Sequence, residues 1–363
     1  NHAPVPAVGL IPALGLLIGS TLGMYAALEA WLYALTLPAA CVGAVVCWWW
    51  RAPLAFQFTL AVGFLAGGAA LAAGAREQAL HSSVRQLLER EFGGFLIESI
   101  GSTGPHDPVP SQLLLLEDAA PRDGFVSLRA DLLSVRLHGR WEAVAGGVAI
   151  SVNGVAAPEH VTAWRAGRVI EAPVTFRRPT RYLNAGVPDF ERNQALDGIT
   201  LLGTVKSGLL IEVAREGSYV AERSADVREH VRRAVRRWIA PHDAISAAIA
   251  SAVLIGDRTG LPEETRERLQ AAGTYHVIAI SGGNIAILAT AAILTLMIVG
   301  VRGRHAAVVV IAVLSAYALV VTAGPSVWRA TLMALLYFLA RAIGHRSGVW
   351  QTASMAGAVM VVL

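Results

Sequence analysis

Along this chain, long unbroken apolar runs flank a middle region in which apolar and polar positions alternate every second residue. A bilayer-spanning helix needs about 20 mainly apolar residues. Residues 8–28, 31–50 and 54–74 meet that requirement, and residues 276–299, 306–323, 326–340 and 349 onward form the later predicted spans. The first run carries Gly15, Gly19 and Gly23, a four-residue spacing of small residues that lets helices approach closely. It lacks the basic front of a signal peptide, and two more spans follow it at once. Trp48, Trp49, Trp50 and Arg51 mark an interfacial end. Residues 244–255 are apolar but too short to span.

Between the two apolar blocks, period-two or short apolar runs recur at 112–116, 125–137, 148–152, 168–176, 199–205 and 209–213. Turn signals separate them, including Asp123-Gly124, Asn153-Gly154 and Lys206-Ser207-Gly208. Five or six short strands over this length fit a small Greek-key barrel such as an OB-fold, although the spacing also admits other small barrels. Residues 224–239 then read as a basic amphipathic helix. Val227, Val231, Val235 and Trp238 form its apolar stripe, and Arg228, Arg232, Arg233, Arg236 and Arg237 surround it. Such a helix suits a membrane surface, with arginines toward headgroups, or a strip that guides phosphates.

The resulting expectation is an α-helical polytopic membrane protein with an inserted all-β extracytoplasmic domain. Its parts are three spans in 1–75, a linker at 76–94, an OB-like β domain at 95–217, an interfacial helix at 218–242 and a helical core at 243–363. Composition agrees. The 363 residues are 55% hydrophobic and only 15% charged, with a mean hydropathy of +0.53. Soluble domains carry about 25% charge, and the deficit lies in the two apolar blocks. Net charge is +4, with Lys206 the only lysine. Loop arginines set orientation: Arg51, Arg302, Arg304, Arg341 and Arg346 belong in the cytoplasm, with Glu29 and Gly324-Pro325 outside. That places the N-terminus in the cytoplasm and the β domain outside. Cys41 and Cys47 lie six apart in one apolar run and read as packing residues. No zinc-type Cys/His spacing occurs, so no metal is expected.

Three features carry chemistry. At "HVIAISGGNIAIL", residues 276–288, Ser281-Gly282-Gly283 interrupts an apolar helix beside Asn284. A helix break inside lipid survives only against protein or a water-filled cavity, so the stretch predicts a polar pathway or gate, with close packing of small residues as the alternative. A serine nucleophile is disfavoured: Ser281 and His276 are five apart, about 140° around a continuous helix. In the second feature, Pro325 opens a helix and Arg329 follows about one turn in. It is either a cationic gate at the outer mouth or a residue snorkelling to the surface. In the third, Phe176, Arg177, Arg178, Arg181 and Tyr182 interleave aromatic and basic residues, the chemistry of single-strand binding.

Three segments resemble the ComEC-type DNA-uptake channels of natural competence. They are "GRVIEAPVTFRRPTRYLNAGVPDFERNQALDGI", "LIGDRTGLPEETRERLQAAGTYHVIAISGGNIAIL" and "AGPSVWRATLMALLYFLARAIGHR", in the family's order. The resemblance implies an inner-membrane channel for single-stranded DNA in a bacterium, assisted by a DNA receptor and a cytosolic helicase-like motor. It assigns the pathway to His276, Ser281, Gly282, Gly283, Asn284, Ser326 and Arg329, and a core-entry turn to Gly256, Asp257 and Arg258. Family members often carry histidine where Asn284 stands. The last span reaches Leu363 without a polar flank, which reads as a core cut short. Many members also carry a metallo-β-lactamase-like nuclease domain, but no such ligand set occurs here, so no enzyme activity, metal or cofactor is expected of this chain. The competing class is a small-solute transporter built on broken helices, which calls for an inverted repeat; residues 1–75 and 276–363 show no internal similarity.

Overall fold

The computed structural model describes residues 10–25, 30–80, 82–91, 107–122, 124–154, 160–180, 184, 186, 189–272, 282–321, 325–344 and 349–362. The chain divides into two compact units. One comprises Asn1–Ala75, Ala252–Gly256 and Glu263–Leu363; the other comprises Arg76–Ser251 and Asp257–Pro262.

The second unit is built on seven strands: β1 (Val109–Leu115), β2 (Ala120–Arg122), β3 (Phe125–Leu137), β4 (Arg140–Asn153), β5 (Val169–Arg177), β6 (Leu201–Val205) and β7 (Glu212–Arg215). Alternation in the sequence becomes alternation in burial. Val109, Ser111, Leu113 and Leu115 of β1 point inward and their neighbours do not. β1 pairs antiparallel with both β3 and β5, β3 with β4, and β5 with β6, while β4 and β6 run parallel. These pairings run in a closed circuit β1-β3-β4-β6-β5-β1, with β2 on β3 and β7 on β5 outside it. Inside lies one core containing Leu113, Leu128, Leu132, Ile150, Trp164, Ile170, Phe176 and Leu201.

The alternation located five of these strands. It gave only the second half of β4, because residues 140–147 contain a Gly-Gly pair and no regular period, and it missed β2. The glycine pair has a packing role. Thr200 N–H donates to the Gly147 carbonyl at 2.8 Å, and a Cβ on Gly147 would lie 1.7 Å from the Gly198 carbonyl oxygen. A Cβ on Gly146 would lie 2.6 Å from Val84. That residue belongs to α4 (Ser83–Glu91), which buries Val84 and Leu88 in the β core. Ser83 fastens α4 to β4, its hydroxyl accepting from Ala145 N–H at 2.8 Å. α5 (Phe190–Leu196) is capped by the Asp189 carboxylate, which accepts from Arg192 N–H at 3.0 Å.

α6 (Tyr219–Trp238) begins at Ser218, whose hydroxyl accepts from Ala221 N–H at 3.3 Å. Two arginines that the sequence reading set toward headgroups or phosphates, Arg228 and Arg232, turn inward. The buried face is Ser224, Ala225, Arg228 and Val235, whereas Val227 is 46% and Trp238 68% exposed. The helix turns arginines inward because they find carboxylates there. α7 (Ala244–Ile255) follows; the Asp243 carboxylate caps it by accepting from Ser246 N–H at 3.0 Å.

The other unit contains α1 (Leu10–Tyr25), α2 (Ala30–Trp49), most of α3 (Pro53–Leu80), α8 (Glu263–Ala271), α9 (Gly282–Ile298), α10 (Gly303–Val320), α11 (Pro325–Ala342) and α12 (Val349–Val362). The glycine repeat of α1 seats directly on α3: a Cβ on Gly19 would lie 2.0 Å from the Leu65 carbonyl oxygen, and one on Gly23 would lie 2.1 Å from that of Ala69. α9, α10 and α11 share a core of Ile285, Ala289, Val310, Leu314, Val327 and Phe338. Among the described residues, two helical segments, those of α3 and α10, are long and apolar enough to cross a membrane. α1, Leu35–Trp49 of α2, α7 and α9 are apolar over shorter stretches.

Replacing Gly147 by alanine forces its Cβ onto backbone that cannot rotate away. It should destabilise the β unit by about 1–3 kcal/mol and bring loss of strand circular dichroism to a lower temperature. Gly74→Ala, with open space around the new Cβ, should leave that transition in place.

Candidate functional site

The densest chemistry in the β unit is a run of ion pairs along the inner face of α6. Asp118, on the turn between β1 and β2, accepts from Arg228 through Nε at 2.7 Å and Nη2 at 2.7 Å. It also accepts from Arg232 Nη1 at 3.0 Å and from Ala166 N–H at 3.1 Å. Arg232 Nε reaches on to Asp257 at 2.6 Å. The other oxygen of Asp257 closes a turn on itself, accepting from the Thr259 hydroxyl at 2.6 Å and Thr259 N–H at 3.1 Å. A second cluster lies nearer the start of the helix. Glu222 takes both prongs of Arg168 at 2.7 and 2.8 Å and the Gly217 N–H at 3.0 Å. Arg165 pairs with Asp226 at 2.9 Å.

Burial pushes the Asp118 carboxyl up, but the hydrogen bonds and charge of Arg228, with Ala166 N–H and Arg232, overcome it and hold the group below the usual carboxylate range. Asp257 is likewise lowered: burial opposes ionisation, and Thr259 and Arg232 outweigh it. The Arg168 guanidinium holds Glu222 down at about 2.

These pairs decide the standing of the basic candidates. Arg232 is spent between two carboxylates. Arg236 reaches Glu229 at 2.8 Å yet remains exposed, and Arg233 lies 3.8 Å from the same carboxylate. Arg237 stacks over the Trp238 ring, 5.2 Å from its centroid. Phe176 is wholly buried in the β core and offers no ring to a base. Arg178 is clamped on Glu191 at 2.6 and 2.8 Å. Arg177, at the end of β5, is exposed and makes no ion pair among the described residues. Arg181 and Tyr182 lie outside the described residues. A cavity of about 430 Å³ opens beside Asp118, Arg165, Glu229, Arg232, Arg236 and Asp257, with alanines of α7 on its other wall. Every charged group on that wall is in an ion pair, so the cavity presents no net positive face to a phosphate.

In the helical unit, Gly282 and Gly283 begin α9, and Asn284 follows in its first turn. A Cβ on Gly282 would lie 3.2 Å from the Ala330 Cβ of α11, so the two helices meet there at small residues. The Asn284 side-chain nitrogen is buried without a partner among the described residues. Arg329, in the first turn and a half of α11, is exposed and forms no ion pair among them. Ser326 falls in the first turn of that helix by its backbone. His276 and Ser281 lie outside the described residues. Gly256 takes a positive φ of 80° after α7, and Asp257 and Arg258 follow in the turn that Leu261 N–H closes on the Arg258 carbonyl at 3.2 Å. Among the described residues no group of three His, Cys, Asp or Glu is placed to hold a metal.

Sequence reasoning missed Asp118, Arg168, Glu222 and the inward role of Arg228. Nothing in a lone aspartate on a turn announces that two arginines from a distant helix will reach it.

Residues 253–363 match the family model described as competence protein. A 93-residue stretch is 36% identical to ComE operon protein 3 of Bacillus subtilis (strain 168), covering 25% of this chain and 12% of that protein. No solved structure matches.

Asp118→Ala removes the shared acceptor of two largely buried arginines. It should cost the β unit about 3–5 kcal/mol, far more than Glu264→Ala in the exposed pair with Arg268, as read from thermal unfolding of the purified chain. Asp118, Asp257 and Glu222 ionise more readily folded than unfolded. Their stabilisation is therefore complete above the unfolded carboxylate range and is lost as pH falls toward the folded values, about 2 for Glu222. The midpoint of unfolding should be flat near neutrality and fall steadily below about pH 4; a constant midpoint down to pH 2.5 would contradict the pairing.

Proposed function

Because residues 253–363 make this a ComEC-type competence protein, we propose that the chain is part of an inner-membrane channel through which single-stranded DNA enters a bacterial cell during natural transformation. The observation that carries this reading is the competence match itself. It covers the Gly256–Arg258 turn, the glycine-started α9 with Asn284, and α11 with Arg329.

Physical features support it. A helix opened by two glycines and an asparagine, packed among apolar helices, fits a passage whose freed backbone groups need protein or water. Arg329 stands exposed and unpaired among the described residues, available to a phosphate at the mouth of such a passage. The strand circuit β1-β3-β4-β6-β5-β1 fits an OB-like barrel, a fold whose loops bind oligonucleotides elsewhere. On this reading the barrel lies outside the cytoplasmic membrane and receives the strand, with the N-terminus in the cytoplasm. Arg177 at the end of β5 and Arg233, Arg236 and Arg237 on α6 are among the exposed cations of the β unit. The chain does no hydrolysis itself. A DNA receptor on the outside and a helicase-like motor in the cytosol are the partners the reading calls for.

The test is complementation. A naturally competent host lacking its own copy is given the full-length gene, and entry of labelled DNA into the cytosol is followed. The parent gene should restore entry, and failure to do so with normal membrane abundance would refute the channel. Arg329→Ala should cut entry roughly tenfold, equivalent to about 1.4 kcal/mol on the barrier to passage, at unchanged abundance. The purified chain in detergent should bind single strands of any sequence with an affinity that falls steeply with salt.

A further inference from the structure

The core shared by α9, α10 and α11 holds two polar groups that its packing does not use. Thr331 sits one turn after Val327 and one before Leu335, in a row that is otherwise apolar and packed into that core. It is 1% exposed, and its hydroxyl has no hydrogen-bond partner among the described residues. Threonines in helices ordinarily spend the hydroxyl on the carbonyl one turn back. Thr290 and Thr295 of α9 do so, at 2.8 Å to Ala286 and 2.9 Å to Ala291, although both are exposed and need it less. Asn284 is the second group. It immediately precedes Ile285, which is 1% exposed in the same core, and its buried side-chain nitrogen lacks a partner among the described residues. The helices that carry them approach closely at Gly282, where a Cβ would lie 3.2 Å from that of Ala330.

A buried donor left unpaired destabilises the packed state, most of all where no water is at hand. The tension is relieved when the helices part and the two groups meet water or a polar ligand. Both are neutral donors. They can hydrogen-bond a phosphodiester oxygen or a base edge without holding it by charge, and conduction requires contacts weak enough to leave. A helix core that packs closely around unspent neutral donors has the properties of a gate.

We propose that Thr331 and Asn284 are neutral polar groups of the strand pathway, shut away in this structure by the close packing of α9, α10 and α11; this rests on the DNA-channel reading. Loosening the packing of these three helices exposes both groups to the moving strand.

The experiment places Thr331→Cys in the full-length protein, with Cys41, Cys47 and any other cysteine replaced, in the competent host lacking its own copy. A membrane-impermeant methanethiosulfonate reagent is applied with and without transforming DNA. Labelling that depends on DNA is expected. Absence of labelling in both conditions, while the cysteine-free parent still takes up DNA, would overturn the gate and leave the channel standing. Labelling without DNA would also overturn it, because the closed packing hides the residue. A cysteine-free parent that takes up no DNA, beside an unmodified parent that does, is replaced by one retaining Cys41 and Cys47 as labelling background. No uptake by the unmodified parent would refute the channel itself. A second variant guards against misfolding. Thr331→Val keeps the shape, removes the unpaired hydroxyl and should raise thermal stability, yet reduce uptake roughly fivefold by favouring the shut state, with Thr331→Ser restoring it. Unchanged uptake in the valine variant would reduce Thr331 to a packing residue.

Discussion

Arg232 is held between two carboxylates that come from opposite ends of the β unit's sequence, and the geometry of α6 follows from it. Asp118 reaches it from the first strand turn, Asp257 from the loop after α7. A guanidinium withdrawn from water without partners would be heavily penalised. With two carboxylates in place and Arg228 completing Asp118, the network is nearly self-neutralising and can be buried. That fixes the rotation of α6 about its axis, so Val227 and Trp238 are turned outward. One further consequence concerns the competence match, which begins at residue 253. Its Asp257–Pro262 stretch clusters with the β unit rather than with the helices that follow. The aspartate of the Gly256-Asp257-Arg258 turn is therefore an anchoring group, joined to Arg232 and to its own Thr259.

Strands were legible where burial alternates, as along β1 and along β3 as far as Leu132, because side-chain direction there is set by the pleat. They were illegible where backbone approaches backbone. Gly146 and Gly147 look like a loop in one dimension, yet they lie in mid-strand because α4 and the Gly198 carbonyl leave no space for a side chain. The helix-close-approach meaning of Gly19 and Gly23 was readable, since their spacing repeats on one helical face, and their carbonyl partners on α3 fulfil it. The inward turn of Arg228 and Arg232 was not. An amphipathic reading ranks faces by hydrophobicity and treats each arginine as solvated. A guanidinium that meets a carboxylate from a distant turn breaks that assumption, and only the fold brings the two together.

The same neutralisation redraws where positive charge is available. In the sequence, the basic helix and the Arg-Arg strand end each read as a cationic feature. Arg228, Arg232 and Arg178 are absorbed into ion pairs, and Arg233 and Arg236 share Glu229. What is left to attract a polyanion is dispersed; of the basic candidates read from the sequence, Arg177 and Arg237 are in no ion pair among the described residues. On the proposed reading, such a surface steers a strand without trapping it, because long-range attraction depends on summed charge whereas retention depends on desolvated pairs.

On the proposed reading, the helical unit meets the same requirement by other means. A polyanion threading apolar helices gains from any contact and is stopped by any contact that is too strong. Cations deep in the helix core would bind phosphates tightly at low dielectric; neutral hydroxyl and amide donors bind them less tightly and regardless of base sequence. Arg329 stands exposed one turn and a half into its helix, whereas Thr331 is buried and the Asn284 side-chain nitrogen is withdrawn from solvent. Charge at the mouth and neutral donors within is the order expected if attraction brings a strand to the passage and weak hydrogen bonds let it go through.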